Sequence, residues 1–171
     1  MGLLNKLFKK NRNDICTDKN SPYYAYPNEL KNFCEYRDKY QDTWNLYGKY
    51  TELINHYYYE FINTHNQNDF NKLLIYCQEY SNLLPKIAEA KKEDAKINGT
   101  VYKEDTYSLV HHRLSMAYEK AQCYNSAINI CKEAIELGYT DGTKGGFKAR
   151  LNRIKKKQDE INKSIIGRKN L

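Results

Sequence analysis

Residues 114–138 constrain the fold more than any other part of the chain. They read LSMAYEKAQCYNSAINICKEAIELG, and small side chains recur in them at Ser115, Ala127 and Ala134. Two antiparallel helices pack closely only where small side chains lie between their axes, and larger side chains such as Tyr118 and Tyr124 then fill the gaps beside them. We therefore predict a helical hairpin over about 106–122 and 124–137, with Gly138 in the left-handed position after its second helix.

Proline is scarce, which favours long helices elsewhere. From Asn28 onward Pro85 is the only proline, and proline breaks helices because it has no N–H to donate and its ring clashes with the preceding turn. Between residues 42 and 64, apolar and aromatic side chains recur at the spacings of three and four that a helix with one buried face requires. They are Trp44, Tyr47, Tyr50, Ile54, Tyr57 and Phe61. Because Tyr57, Tyr58 and Tyr59 are consecutive, at least one of them is expected at the surface.

Further helices are predicted on both sides of the hairpin. A shorter helix is expected from Asn28, and a helix over about 69–84, capped by Asn68 or Asp69, is expected to end or kink at Pro85. A charged helical extension then runs to about Lys96, before a turn at Asn98 and Gly99. The last helix begins near Thr143, and its apolar face is predicted to cover the open end of the stack. That face consists of Phe147, Leu151, Ile154, Ile161 and Ile165.

The hairpin residues resemble a tetratricopeptide repeat, and a fainter echo precedes them. Three earlier residues match hairpin residues at one constant offset: Phe70 with Tyr124, Cys77 with Cys131, and Leu83 with Leu137. The resemblance implies an all-α fold of antiparallel helical hairpins, a degenerate tetratricopeptide-like right-handed stack with a C-terminal capping helix. The stretch from Leu84 through TDGTKGGFKARLNRIKKK is also similar to the C-terminal segment of uncharacterised helical-repeat proteins of low-GC bacteria.

The domain organisation follows from this assignment. Residues 1–27 are expected to form a short amphipathic basic N-terminus and a linker, and residues 28–171 a single tetratricopeptide-like helical domain. Two interpretations of residues 2–10, GLLNKLFKK, remain open. They form either a peripheral membrane or partner contact, or a frayed or core-docked tail.

Positive charge is concentrated at both ends of the chain, whose net charge is +7. Residues 1–12 contain four basic and no acidic residues, and residues 144–171 contain ten basic and two acidic residues. Such termini are suited to an acidic partner, an anionic membrane surface or nucleic acid. Solvation, or pairing with the acidic body of the chain, is the alternative.

The cysteine pattern and hydropathy indicate a cytoplasmic protein. The five cysteines are odd in number and form no C-x-x-C pair, which argues against a disulfide framework and a zinc ribbon. We therefore expect five reduced thiols. The sequence has no secretory apolar segment and no long apolar run. We expect a cytoplasmic location, with peripheral contact at the inner membrane surface left open.

Three candidate chemical sites favour structural interpretations. The loop GYTDGTKGGF lies before a helix, whose free amides attract anions, but its order differs from that of a P-loop, and a turn capped by Asp141 or Thr143 is expected. His111 and His112 are adjacent, so on a helix they diverge by about 100° and cannot chelate one metal as an i, i+4 pair does. Cys77 and Cys131 are interpreted as core residues.

The sequence therefore predicts a noncatalytic adaptor without cofactor or metal. It is expected to bind a protein or peptide along the inner face of the helical stack. By resemblance to the family, the second hairpin lines that face with six residues: Leu109, His112, Arg113, Met116, Glu119 and Lys120. Arg113 occupies the position with which some family members bind a terminal carboxylate of their partner. Met116, however, occupies a position where those members have asparagine. The alternative is a charge-driven binder of nucleic acid or anionic membrane through the basic termini.

Overall fold

The computed structural model describes residues 17–22, 24 and 26–169, with side chains as far as Ser164. In this part of the chain five helices follow one another: α1 (Asn28–Thr64), α2 (Gln67–Ile97), α3 (Leu109–Lys120), α4 (Tyr124–Glu136) and α5 (Gly146–Lys169). Adjacent helices pack as antiparallel pairs, α1 with α2, α3 with α4, and α4 with α5. The described residues form no sheet, and an isolated bridge joins Tyr107 to Thr140. The all-α prediction is confirmed, whereas the amphipathic segment 2–10 lies outside the described residues.

The chain divides into two compact units. One contains the described residues up to Tyr47 together with Leu83–Lys103, and the other contains Gly48–Asn82 with the described residues from Glu104 onward. Both α1 and α2 contribute to each unit, because the division crosses α1 beside Gly48 and α2 just before Pro85.

The first unit is built around a buried tyrosine. Tyr40 is fully buried and packs with Tyr36 and Ala90, while Trp44 and Ile97 cover them. Its hydroxyl lies 2.6 Å from a carboxylate oxygen of Glu89 and 2.8 Å from one of Glu93, and Lys39 bridges the same two carboxylates. Burial first, and then these acceptors, raise the pKa of Tyr40 to about 12, so it remains a hydrogen-bond donor.

The core of the second unit includes the predicted hairpin. Ser115, Ala127, Cys131 and Ala134 are all fully buried where α3 meets α4. Phe147 and Ile154 of α5 complete the same cluster. The left-handed Gly138 (φ 73°) ends α4 as predicted, and Tyr139 donates its N–H back to the carbonyl of Ala134 at 2.8 Å.

The helix boundaries correct several sequence predictions. The two helices expected before Thr64 form one helix, α1, and Pro85 lies inside α2 without ending it. The cap of α2 is Asn66, whose side chain accepts the N–H of Asn68 at 2.8 Å. The helix therefore begins before Asn68 and Asp69, the residues expected to cap it.

The later helices also begin and end differently from the prediction. Helix α3 begins at Leu109 because Ser108 caps it by accepting the N–H of His111. Helix α5 begins at Gly146, a few residues after the expected start. On its apolar face Phe147 and Ile154 are buried, whereas Ile161 is 37% exposed. The side chain of Ile165 lies outside the described residues.

Candidate partner-binding face

Helix α3 carries the six predicted partner-binding residues and makes side-chain contacts with both α1 and α5. On one side the Tyr58 hydroxyl of α1 contacts the Met116 sulfur at 3.4 Å. On the other side Glu119 accepts hydrogen bonds from Arg153 and Lys157 of α5, both at 2.6 Å. These side-chain contacts link α3 to both α1 and α5.

Arg113 is held in place by α1. Its Nε donates to Asn55 Oδ1 at 2.9 Å, and its guanidinium lies 4.6 Å from the ring centre of Tyr58 and 5.3 Å from that of Tyr59. Tyr58 is buried, which raises its pKa, while Tyr59 is 54% exposed, as expected for one of three consecutive tyrosines. Arg113 therefore joins two helices and at the same time stands beside an exposed aromatic ring.

Glu119 is the polar junction between α3 and α5. Its side chain is only 11% exposed, whereas Arg153 and Lys157 are about half exposed. Burial raises the pKa of Glu119, but the two hydrogen bonds outweigh burial and lower its pKa below the usual value. The carboxylate is therefore ionised and neutralised within the protein, which leaves it less available to an outside ligand.

The remaining predicted residues differ in exposure. Leu109 is buried, Met116 is half-buried, and Lys120 is exposed. His112 is half-buried, with its Nδ1 3.0 Å from the hydroxyl of Tyr107, and burial together with Arg150 and Arg113 lowers its pKa. The six residues therefore lie on one helix, but they are not equally open to solvent.

The loop before α5 already contains an internal anion. Asp141 is buried, and its Oδ1 accepts the N–H and hydroxyl of Thr143 at 3.0 and 2.6 Å. Its Oδ2 accepts two hydrogen bonds from Arg150 at 3.1 and 2.7 Å. Burial raises the pKa of Asp141, but these hydrogen bonds lower it to about 2. An anionic ligand entering this loop would be repelled by the carboxylate.

The histidines and cysteines occupy structural positions. His111 packs against the rings of Tyr139 and Phe147, and burial lowers its pKa although Glu133 lies 3.8 Å away. Among the described residues, no group of three histidine, cysteine or acidic side chains could hold a metal ion. Cys77 and Cys131 are buried, as predicted, and Cys123 is exposed.

Sequence reasoning missed the residues that hold α3 in place. Asn55 and Tyr58 are each 58 residues from their partners on α3, while Arg153 and Lys157 are 34 and 38 residues from Glu119. These contacts could be anticipated only indirectly from the sequence. A stack of hairpins places first helices side by side, but the sequence does not show which of their side chains meet.

Comparisons with known proteins were made at three levels. No family model, no curated protein and no solved structure matched the chain. Within the described residues, no helix is both long and apolar enough to cross a membrane.

Proposed function

We propose that the chain is a noncatalytic adaptor that binds a protein or peptide on one face of a degenerate tetratricopeptide-like stack. This surface, the α1–α3–α5 face, is made of the solvent-accessible parts of residues from three helices. They are Tyr59, Arg113, Met116, Lys120, Arg153 and Lys157.

The position of α3 carries the proposal. Arg113 joins it to α1 and Glu119 joins it to α5, and these contacts support a row made of α1, α3 and the capping helix α5. In a solenoid of helical hairpins such a row forms the extended surface on which a partner lies. Ser115, Ala127 and Ala134 are fully buried, which supports the close approach of α3 and α4 that such a repeat requires.

The composition of the face also suits a protein partner. Tyrosine, methionine and arginine are enriched at protein interfaces, and all three occur here. The exposed ring of Tyr59 lies beside Arg113, whose side chain is already held by α1. A partner that covers these two side chains therefore restricts little further motion, which lowers the entropic cost of binding. The acidic residue of this region, Glu119, is paired with Arg153 and Lys157 of α5. This pairing favours a binding role for the face over one in proton transfer.

Site-specific photocrosslinking tests the location of the face. A photoreactive phenylalanine analogue would replace Lys120 on the face, or Lys132, which is also exposed, on α4. Both variants would be irradiated in a lysate of the source organism. We expect a discrete adduct from position 120 and none from position 132. Equal adducts from both positions, or an adduct from position 132 alone, would contradict the proposal.

The captured partner then allows a quantitative test. Tyr59→Ala is expected to weaken binding to the recovered protein at least tenfold, which corresponds to about 1.4 kcal/mol. Ile75→Ala removes a comparably exposed apolar side chain from α2 and is expected to leave affinity unchanged. If Ile75→Ala weakened binding as much as Tyr59→Ala, the partner would not be reading this face.

A further inference from the structure

The solvent side of α5 carries four exposed lysines, Lys148, Lys155, Lys156 and Lys163, which we call the lysine face. The opposite side of the helix carries Phe147 and Ile154, which are buried in the core. At 3.6 residues per turn, positions seven apart lie nearly above one another, about 10 Å apart along the axis. The four lysines therefore form two neighbouring rows of two.

Three other basic residues of α5, Arg150, Arg153 and Lys157, are neutralised by acidic side chains of the protein, whereas the charge of the lysine face is largely not. Arg150 is paired with Asp141, and Arg153 and Lys157 share Glu119. Of the four lysines only Lys156 has an ion-pair partner among the described side chains, Glu160 at 3.9 Å. Both members of that pair are more than 60% exposed (80% and 62%), so the contact offsets little of the charge.

We propose that the lysine face binds an acidic α-helical segment of another protein. A helix aligned with α5 presents carboxylates with the same seven-residue repeat, so successive glutamates meet successive lysines in each row. Charged positions flanking a helix–helix contact select partner and orientation in this way. The proposed interface does not depend on the α1–α3–α5 face, since it uses different residues.

The chemistry of the lysine face favours a protein segment over other anions. Proteins that bind single-stranded nucleic acid stack bases on aromatic side chains, and α5 has no exposed aromatic residue among its described side chains. An amphipathic helix that lies in a membrane surface buries an apolar face in the lipid. The positions between the lysines are occupied instead by Ala149, Asn152 and Asp159.

Two variants of the full chain test the proposal. In one, Lys148, Lys155, Lys156 and Lys163 are all changed to glutamine. In the matched control, four exposed lysines elsewhere, Lys49, Lys86, Lys103 and Lys132, are changed to glutamine, so the net charge falls equally. Circular dichroism and thermal melts would establish that both variants fold, as substitutions of exposed charges normally allow.

The probe is a fluorescein-labelled synthetic helical peptide with glutamates at two adjacent positions of every heptad, measured by fluorescence anisotropy. At an ionic strength of about 0.05 M we expect the parent chain to bind it and the lysine-face variant to bind at least tenfold more weakly. The control variant should stay within about twofold of the parent. A peptide of the same composition with scrambled glutamates should bind less well.

Three outcomes would overturn the proposal. In the first, the parent chain does not bind the peptide. In the second, the lysine-face variant and the control variant lose peptide affinity equally. In the third, another anion binds the parent chain more tightly than the peptide does, and only the lysine-face variant loses that binding. For the third, single-stranded RNA, duplex DNA and phosphatidylserine vesicles would be measured alongside the peptide. Such binding would assign the lysine face to nucleic acid or to a membrane.

Discussion

At the scale of single residues, the ion pair of Asp141 and Arg150 has the largest expected effect on stability. The two side chains are 0% and 7% exposed. Removing one partner of a buried pair leaves the other charge buried and uncompensated, which costs about 3–5 kcal/mol. We therefore expect Asp141→Asn to lower the free energy of unfolding in urea by that amount. Asp159→Asn, at an exposed position of α5, should change it by less than about 0.5 kcal/mol.

The same pair predicts how stability depends on pH. The pKa of Asp141 is lowered to about 2, whereas an unfolded aspartate titrates near 3.9. The contribution of the carboxylate to stability is therefore fully present above about pH 4 and lost as the pH falls through 2. The difference between the parent chain and Asp141→Asn should shrink over that range. A difference that stayed constant from pH 6 to pH 2 would show that the carboxylate is not ionised in the fold.

Ala127 tests the close approach of α3 and α4. It is fully buried in the same cluster as Cys131 and Ala134, so leucine at this position would overpack the hairpin. We expect Ala127→Leu to cost about 1–3 kcal/mol in chemical denaturation. Asn129→Leu, on the exposed side of the same helix, should cost little. A silent Ala127→Leu would mean that the two helices do not meet at this residue.

At the scale of helices, the sequence predicted which segments are helical better than where they begin and end. The start of α4 at Tyr124 agrees with the prediction, because the apolar periodicity and the small residues both point there. The start of α2 was predicted too late, because several residues in HNQND can act as caps and only the folded chain selects Asn66. The helical extension predicted beyond Pro85, to about Lys96, is present, because α2 continues to Ile97 and Ile87 and Ala90 continue its buried face.

The junction of α3 and α5 predicts that the lysines of α5 are not equivalent. Arg153 and Lys157 bond to the partly buried Glu119, whereas Lys155 is exposed and Lys156 has one weak exposed pair. We expect the double substitution Arg153→Gln and Lys157→Gln to destabilise the chain by about 1 kcal/mol, a value kept small because both cations are half exposed. Lys155→Gln with Lys156→Gln should stay within about 0.5 kcal/mol.

The dependence of stability on ionic strength tests whether Arg153 and Lys157 stabilise the chain through Glu119. The difference between the two double variants should narrow in thermal melts as ionic strength rises, because partly exposed pairs are screened. If the pair Lys155 and Lys156 proved the more costly to replace, α5 would not be joined to α3 through Glu119.

Gly48 is expected to weaken α1 at the point where the two compact units divide. An added Cβ there would meet no atom within 4 Å, and glycine in a helix interior costs about 0.5–1 kcal/mol relative to alanine. Gly48→Ala should therefore raise the free energy of unfolding by about that amount. Gly138→Ala also meets no atom within 4 Å but has a φ of 73°, so it should lower stability by about 1 kcal/mol. If the two substitutions change the free energy of unfolding in opposite directions, the effect of helix propensity is distinguished from that of backbone strain.

At the scale of the whole molecule, the contacts that define the candidate face join residues far apart in sequence. Arg113 meets Asn55 of α1 58 positions away, and Glu119 meets Arg153 34 positions away. Periodicity assigns a residue to a helix face, but the choice of partner across such distances depends on packing of the entire unit. For the same reason the sequence predicted α3 as a binding helix without showing that Arg113 and Glu119 contact α1 and α5. Arg113→Ala should therefore destabilise the chain as well as weaken binding, because it removes the contacts of Arg113 with α1.

The cysteines report on the integrity of the whole fold. Burial raises the pKa of Cys77 to about 12 and that of Cys131 to about 11, so neither forms a reactive thiolate near pH 8 in the native state. Cys123 is exposed, and we expect an aromatic disulfide reagent to modify it in the native chain. Cys77 and Cys131 should react only when the second unit unfolds.

In denaturant without reductant the number of reactive thiols should reach five, and three or fewer would indicate a disulfide. In Cys123→Ser the fast native reaction at this position should disappear while the denatured count falls by one. Rapid native modification of Cys77 or Cys131 would instead show that the core of the second unit opens without global unfolding.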